Sequence, residues 1–232
     1  MNNRAENVAL KVLCTNGLKS VFLETGEQLS RQTGVTFSAE YGSTKKFTDR
    51  ILDGDSPDVV ILTDTAIDTL IGAGKLSHDR IDLAQSLIGV AVRSDTPKPD
   101  IGTVPAFIAT LRAARAISRS KLGASGQHIE TVLKKLGIAD ELAPRIKIYD
   151  GYAAQACAEG EVDIAIQQIS ELMPVAGLEI VGPLPTELQK LTTFSAGIGA
   201  QTALRTAAEK FIGFIKSGER ASLLRRHGLE PA

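Results

Sequence analysis

Glu40-Tyr41-Gly42-Ser43-Thr44-Lys45-Lys46-Phe47 follows an apolar strand at residues 35–39 and opens a helix whose buried face is Phe47, Ile51 and Leu52. Small hydroxyl residues therefore stand where a strand hands over to a helix N-terminus. That end of a helix carries unpaired backbone N–H groups and roughly half a positive charge, which makes it a ready anion site. The chain repeats the device. Cys14-Thr15-Asn16-Gly17 lies between a strand and a helix, Gly123-Ala124-Ser125-Gly126 opens another helix, and Asp150-Gly151-Tyr152 a fourth. Four such turns point to a cleft that holds an anion with neutral donors.

On either side of that stretch, strands alternate with helices. Residues 10–14 read as a buried strand, and Leu18, Val21, Phe22 and Leu29 form one face of a helix that stops at Gly34. Within residues 57–64, Val59 to Leu62 form an unbroken apolar run, bounded by Asp58 and Thr63-Asp64, of the kind found at the centre of a parallel sheet covered on both faces. A helix over about 65–73 follows. The order implies right-handed crossovers and a doubly wound sheet. A strand at 87–93 then leads into Ser94-Asp95-Thr96-Pro97-Lys98-Pro99-Asp100, an exposed connection. Beyond it a second series begins, with strands expected at 114–118, 146–149, 162–166 and 178–181, and helices at 104–112, 152–158 and 170–175. A return strand at 191–198 precedes the buried helix face of Leu204, Ala208, Phe211, Ile212 and Ile215.

Composition excludes several classes. The chain has 232 residues, 43% apolar content and a formal net charge of −1. Such a charge offers no electrostatic footprint for nucleic acid, and the absence of Trp removes the usual base-stacking platform. No apolar run approaches the roughly 20 residues that span a bilayer. Cys14 and Cys157 form no CxxC or zinc spacing and read as two buried thiols. The three histidines, His78, His128 and His227, are dispersed, and neither a metal site nor any cofactor motif is readable.

The order of elements, with residues 13–22 at the first turn, Tyr41-Gly42-Ser43-Thr44 at the second, Asp53-Gly54-Asp55-Ser56-Pro57-Asp58 before the buried strand, Gly123-Ala124-Ser125-Gly126, and the closing helices over 211–228, resembles the molybdate-binding-like family of bacterial solute-binding proteins. The resemblance covers nearly the whole chain. It implies an α/β fold of the type 2 periplasmic-binding-protein class, in which each lobe is a doubly wound mixed sheet flanked by helices. Residues 1–85 with 193–232 would form the first lobe and 86–192 the second, hinged near 86 and 192. It implies a monomer in the periplasm that holds a small anionic ligand and serves an ABC transporter permease. A native start at Met1 without a signal segment implies the cytoplasm instead.

Family members hold a tetrahedral oxyanion with serine hydroxyls, amides at helix starts and one tyrosine. By resemblance the first serine falls on Gly17, next to Asn16, and the second on Ser43 or Thr44. The amide donors fall on Ser125, beside Gly126, and on Gly151, beside Tyr152. The tyrosine falls near Ile166 or Gln167. Gly17 and Gln167 thus break the molybdate pattern, which favours a small carboxylate or another oxyanion. Arg119, expected just past its strand, is placed to read a carboxylate with its planar fork. Helix capping accounts for Ser43 and Thr44 without any ligand. Lys45 and Lys46 fit an exposed helix face, and His128 fits a structural role. The alternative function is a cytoplasmic isomerase or lyase acting on a small carboxylic acid with the same fold.

Overall fold

Period-two alternation in the first strands sends side chains to two helical layers. In the computed structural model, which describes residues 9–151 and 153–232, β1 (Leu10–Thr15) sends Leu10, Val12 and Cys14 to one layer and Leu13 to the other. The first layer comes from α1 (Lys19–Thr33), which ends where Gly34 adopts φ 69°. After β2 (Phe37–Gly42), α2 (Thr44–Leu52) packs Phe47 and Ile51 on the opposite face. All of β3 (Val59–Thr63) is buried, with Val59 and Ile61 facing one layer and Val60 and Leu62 the other. The unbroken apolar run is therefore a strand sandwiched between helices. Next come α3 (Asp64–Gly72) and β4 (Ile81–Ser86).

Leu87 alone separates β4 from β5 (Ile88–Arg93), which opens a second sheet. That part continues through α4 (Val104–Ala113), β6 (Ile117–Ser120), α5 (Ala124–Lys135), α6 (Ala139–Leu142), β7 (Ile146–Tyr149), α7 (Ala153–Ala158), β8 (Ile164–Gln168), α8 (Ile169–Leu172) and β9 (Leu178–Pro183). The chain then returns as β10 (Thr192–Ile198), α9 (Arg205–Lys216), α10 (Ala221–Arg226) and β11 (Glu230–Pro231).

The first sheet has the order β11-β4-β10-β3-β1-β2 and the second β7-β6-β8-β5-β9. Both are mixed. In the first, β2, β1 and β3 are parallel, and β10 runs antiparallel between β3 and β4. In the second, β7, β6 and β8 are parallel and β5 runs antiparallel to both β8 and β9. Apolar clusters cover both faces of each sheet. On the first sheet the rings of Phe22 and Phe211 stack at 5.4 Å, and Phe37 meets Phe211 edge-on at 5.0 Å. The α/β class and the doubly wound mixed sheets are as expected from the sequence.

Three local expectations are corrected. Ile81–Ser86 is a strand where none was expected: only Leu83, Ala84 and Ser86 are buried, and Asp82 is held by Arg80 and by the Ser195 hydroxyl at 2.7 Å. The strand expected at 114–118 lies at Ile117–Ser120, because the Arg115 N–H donates instead to the Asp163 carboxylate at 2.6 Å. Arg119 is thus inside the strand rather than beyond it. The helix expected at 170–175 is the single turn Ile169–Leu172.

Candidate functional site

Strand ends decide where side chains gather. Thr15, Gly42, Ser120 and Gln168 close β1, β2, β6 and β8 at their carboxyl ends, the edge where ligands sit in open α/β sheets. All four line one cleft of about 550 Å³. Asn16, Lys19, Ser20, Tyr41, Ser43, Thr44, Lys46 and Phe194 line it from the first sheet and its helices. Gly123, Ala124, Asp150, Gly151, Ala154, Gln167 and Glu171 line it from the second. The cleft therefore lies between the two sheets.

The helix starts behave as the local sequence requires. Ser43 caps α2, its Oγ accepting the Lys46 N–H at 3.3 Å, so its hydroxyl already has a structural partner. Gly123 caps α5 with extended backbone, and both Gly123 and Gly126 let the chain pass tightly over Ser120. A Cβ at Gly126 would collide with the Ser120 carbonyl oxygen. Gly17 is packed under the Phe194 ring, which would stand 2.5 Å from an added Cβ.

The structure brings Asn16, Ser43, Thr44, Gly151 and Gln167 to the cleft wall. Gly17, Ser125 and Gly126 are buried directly behind it. Tyr152 lies outside the described residues. Arg119 is placed elsewhere. Its Nη2 donates to Glu130 Oε2 at 3.0 Å, and its Nη1 to the carbonyls of Ser120 and Gly126 at 3.3 Å each. The guanidinium thus ties the 120–126 turn together from behind instead of facing a ligand. Lys46 reaches the cleft and pairs with Glu40 at 3.2 Å, whereas Lys45 pairs with Asp49 at 2.7 Å on the exposed face. His128 Nε2 is bonded to the Leu188 carbonyl at 2.8 Å.

Ser20, Ser120 and Glu171 line the cleft although they were not among the sequence candidates. Ser20 Oγ, Ser120 Oγ and Gln168 Oε1 line the cleft with no hydrogen-bond partner among the described residues. Ser120 is 5% exposed and Gln168 2%, so these are desolvated polar atoms that a ligand would satisfy. Glu171 also lines the cleft, and burial pushes its carboxyl up to about 7 despite a hydrogen bond from Gln167. Burial likewise pushes the Tyr41 phenol up to about 12. Both cysteines are free and buried, and burial raises both thiols. Among the described residues no group of three or more His, Cys, Asp or Glu side chains is arranged to hold a metal ion, and no helix is long and apolar enough to cross a membrane.

A mixed two-sheet α/β fold with a cleft between the sheets defines a class, and comparison with known proteins specifies it. The chain belongs to the family of bacterial extracellular solute-binding proteins, whose pattern matches residues 10–230. Its fold is that of the periplasmic molybdate-binding protein of Azotobacter vinelandii (TM-score 0.80, 22% identity, covering 95% of this chain and 98% of that one). The sulfate-binding protein SubI of Mycobacterium tuberculosis H37Rv is also similar (TM-score 0.77, 17% identity, 97% and 87% covered). Both are two-lobed. In sequence the chain is 30% identical to an aconitate isomerase from Pseudomonas sp, covering 96% of this chain and 87% of that protein.

Proposed function

We propose that this protein clamps a small carboxylate between its lobes, as the substrate-binding component of a transport system that hands the ligand to a membrane permease. The observation that carries the reading is the set of desolvated polar atoms on the cleft wall with no partner among the described residues, Ser20 Oγ, Ser120 Oγ and Gln168 Oε1. They supplement backbone N–H groups at the starts of α2 and α5, which lack an intrahelical partner by helix geometry. Neutral hydroxyls, amides and helix N-termini can hold an anion without a formal countercharge. Residues 1–85 with 193–232 serve as one lobe and 86–192 as the other. The crossings at Leu87 and before Thr192 act as the hinge, and a ligand that touches both lobes favours the closed state. Asn16, Ser43, Thr44, Gly151 and Gln167 contact the ligand; Gly17, Ser125 and Gly126 shape the wall behind them.

A thermal-shift screen with trans-aconitate, citrate, malate, sulfate and molybdate tests the reading. A carboxylate at a hundred times its dissociation constant should raise stability by about 2.7 kcal/mol. Submicromolar molybdate affinity with no response to the carboxylates would overturn it.

A second reading is favoured by the 30% identical relative described as an aconitate isomerase. In that reading the same cleft isomerises a small unsaturated acid. Proton NMR of trans-aconitate with a catalytic amount of protein separates the two: a binding protein leaves the compound unchanged, and an isomerase converts it.

A further inference from the structure

A cleft built to attract anions should not place an acidic side chain among its donors, yet Glu171 is there. It stands in the first turn of α8, just past the carboxyl end of β8. Gln167 Nε2 donates to its Oε2 at 3.0 Å. The amide of Gln167 is itself fixed, because the Ala154 N–H donates to its Oε1 at 2.7 Å. Turning that amide over would set NH2 against N–H, so the acid is held where a ligand must meet it.

Among the described residues, no Lys, Arg or His forms an ion pair with this carboxyl. Of the elements packed on α8, the turn 16–18 and β8 carry no titratable side chain. β5 carries Arg93, which pairs with Asp95 at 2.5 Å, and β9 carries Glu179, which pairs with Lys98 at 2.6 Å. The other charged groups on the cleft wall are Lys19, Lys46 and Asp150. Lys46 is bonded to Glu40, and Lys19 lies 5.9 Å from the centre of the Tyr41 ring.

We propose that Glu171 and one carboxylate of the bound ligand share a single proton, so that this side chain selects a small carboxylic acid over a fully ionised inorganic oxyanion. The proposal rests on the carboxylate reading given above. Two carboxyls brought into one water-poor site cannot both ionise, and one retains its proton. Burial lifts Glu171 to about 7. Protonated, it donates O–H to a ligand oxygen in a short, charge-assisted bond. Ionised, it repels the ligand. Sulfate, a far weaker base than a carboxylate, shares that proton poorly.

Calorimetry with trans-aconitate, citrate, malate and sulfate, in buffers of differing ionisation enthalpy, tests the idea. For the carboxylates, proton uptake should approach one per site above about pH 8, with affinity falling towards about tenfold per pH unit there and level near about pH 6. Glu171→Gln should keep the affinity seen at acid pH, lose the pH dependence and take up no proton. Carbon NMR of protein labelled at the glutamate carboxyls, with the Glu171→Gln spectrum to assign the signal, should show Glu171 titrating near 7 before any ligand is added. An ordinary glutamate titration, or carboxylate affinity that stays level with pH in the unmodified protein, overturns the proposal alone. No binding of any of the three carboxylates at pH about 6 overturns the carboxylate reading and the proposal with it.

Discussion

Ser120 is a residue whose chemistry is incomplete without a ligand. Its hydroxyl is buried on the cleft wall and has no hydrogen-bond partner among the described residues. Ser120→Ala should therefore leave the free protein as stable as before, or slightly more so. It should cost ligand affinity by about 1.5–3 kcal/mol if the hydroxyl donates to a charged group, and chemical denaturation paired with calorimetry reads both. Gly126 gives the opposite result. Because a Cβ there meets the Ser120 carbonyl, Gly126→Ala should destabilise the fold by roughly 1–3 kcal/mol through overpacking, a loss visible in the denaturation midpoint. Glu171 adds a pH dependence to stability. Its carboxyl is raised from 4.5 unfolded to about 7 folded. The stability it contributes is thus fully present below about 4.5 and lost as pH rises through about 7. Glu171→Gln should be more stable than the unmodified protein at pH 8, by up to about 3 kcal/mol, and the difference should shrink towards pH 5. Urea titrations at the two pH values check the sign.

At the scale of elements, most of the architecture was legible because burial on two faces leaves an unambiguous pattern. Every residue of β3 is buried, and Val59 to Thr63 reads as a sheet centre without help. β4 was not legible. Its burial is partial, and its Asp82 is satisfied by Arg80 and by Ser195 from a strand more than a hundred residues away. No local pattern encodes that partnership. A shift of two or three residues in β6 had a larger consequence for the site. With the strand placed too early, Arg119 read as a residue at the cleft mouth and Ser120 attracted no notice. The strand's true end turns Arg119 towards Glu130 and delivers Ser120 to the cleft. Glu171 escaped for a related reason: its place on the wall depends on where β8 stops and how short α8 is. The helices packed on the first sheet offer a firmer prediction. Phe211 of α9 is fully buried against Phe22 and Phe37, and Phe211→Ala should destabilise the protein by about 3–5 kcal/mol.

For the whole molecule, the two crossings lie side by side. Thr192 pairs with Ser86 across β10 and β4, and Gln168 Nε2 donates to Thr192 Oγ1 at 2.8 Å. Gln189 brackets Ile88, accepting its N–H at 3.1 Å and donating to its carbonyl at 2.8 Å. If these links form the pivot of a clamp, saturating ligand should shrink the radius of gyration measured by small-angle scattering. An unchanged value on binding would show that the cleft fills without closing.

The placement of β10 has a consequence for the order in which this protein comes into being. The second sheet is drawn from one continuous stretch, residues 88–183, and can be complete as soon as that stretch has left the ribosome. The first sheet cannot. Its N-terminal strands are made first, but β10, which joins β3 to β4, is translated only after the whole of the second sheet. Until then β3 offers a bare edge and β4 has no neighbour. Unpaired edges of this kind invite wrong partners. A chain stalled with residue 190 just emerged should thus hold a protease-resistant core from its later half and a digestible N-terminal half, a reversal of the N-terminus-first order expected of nascent proteins.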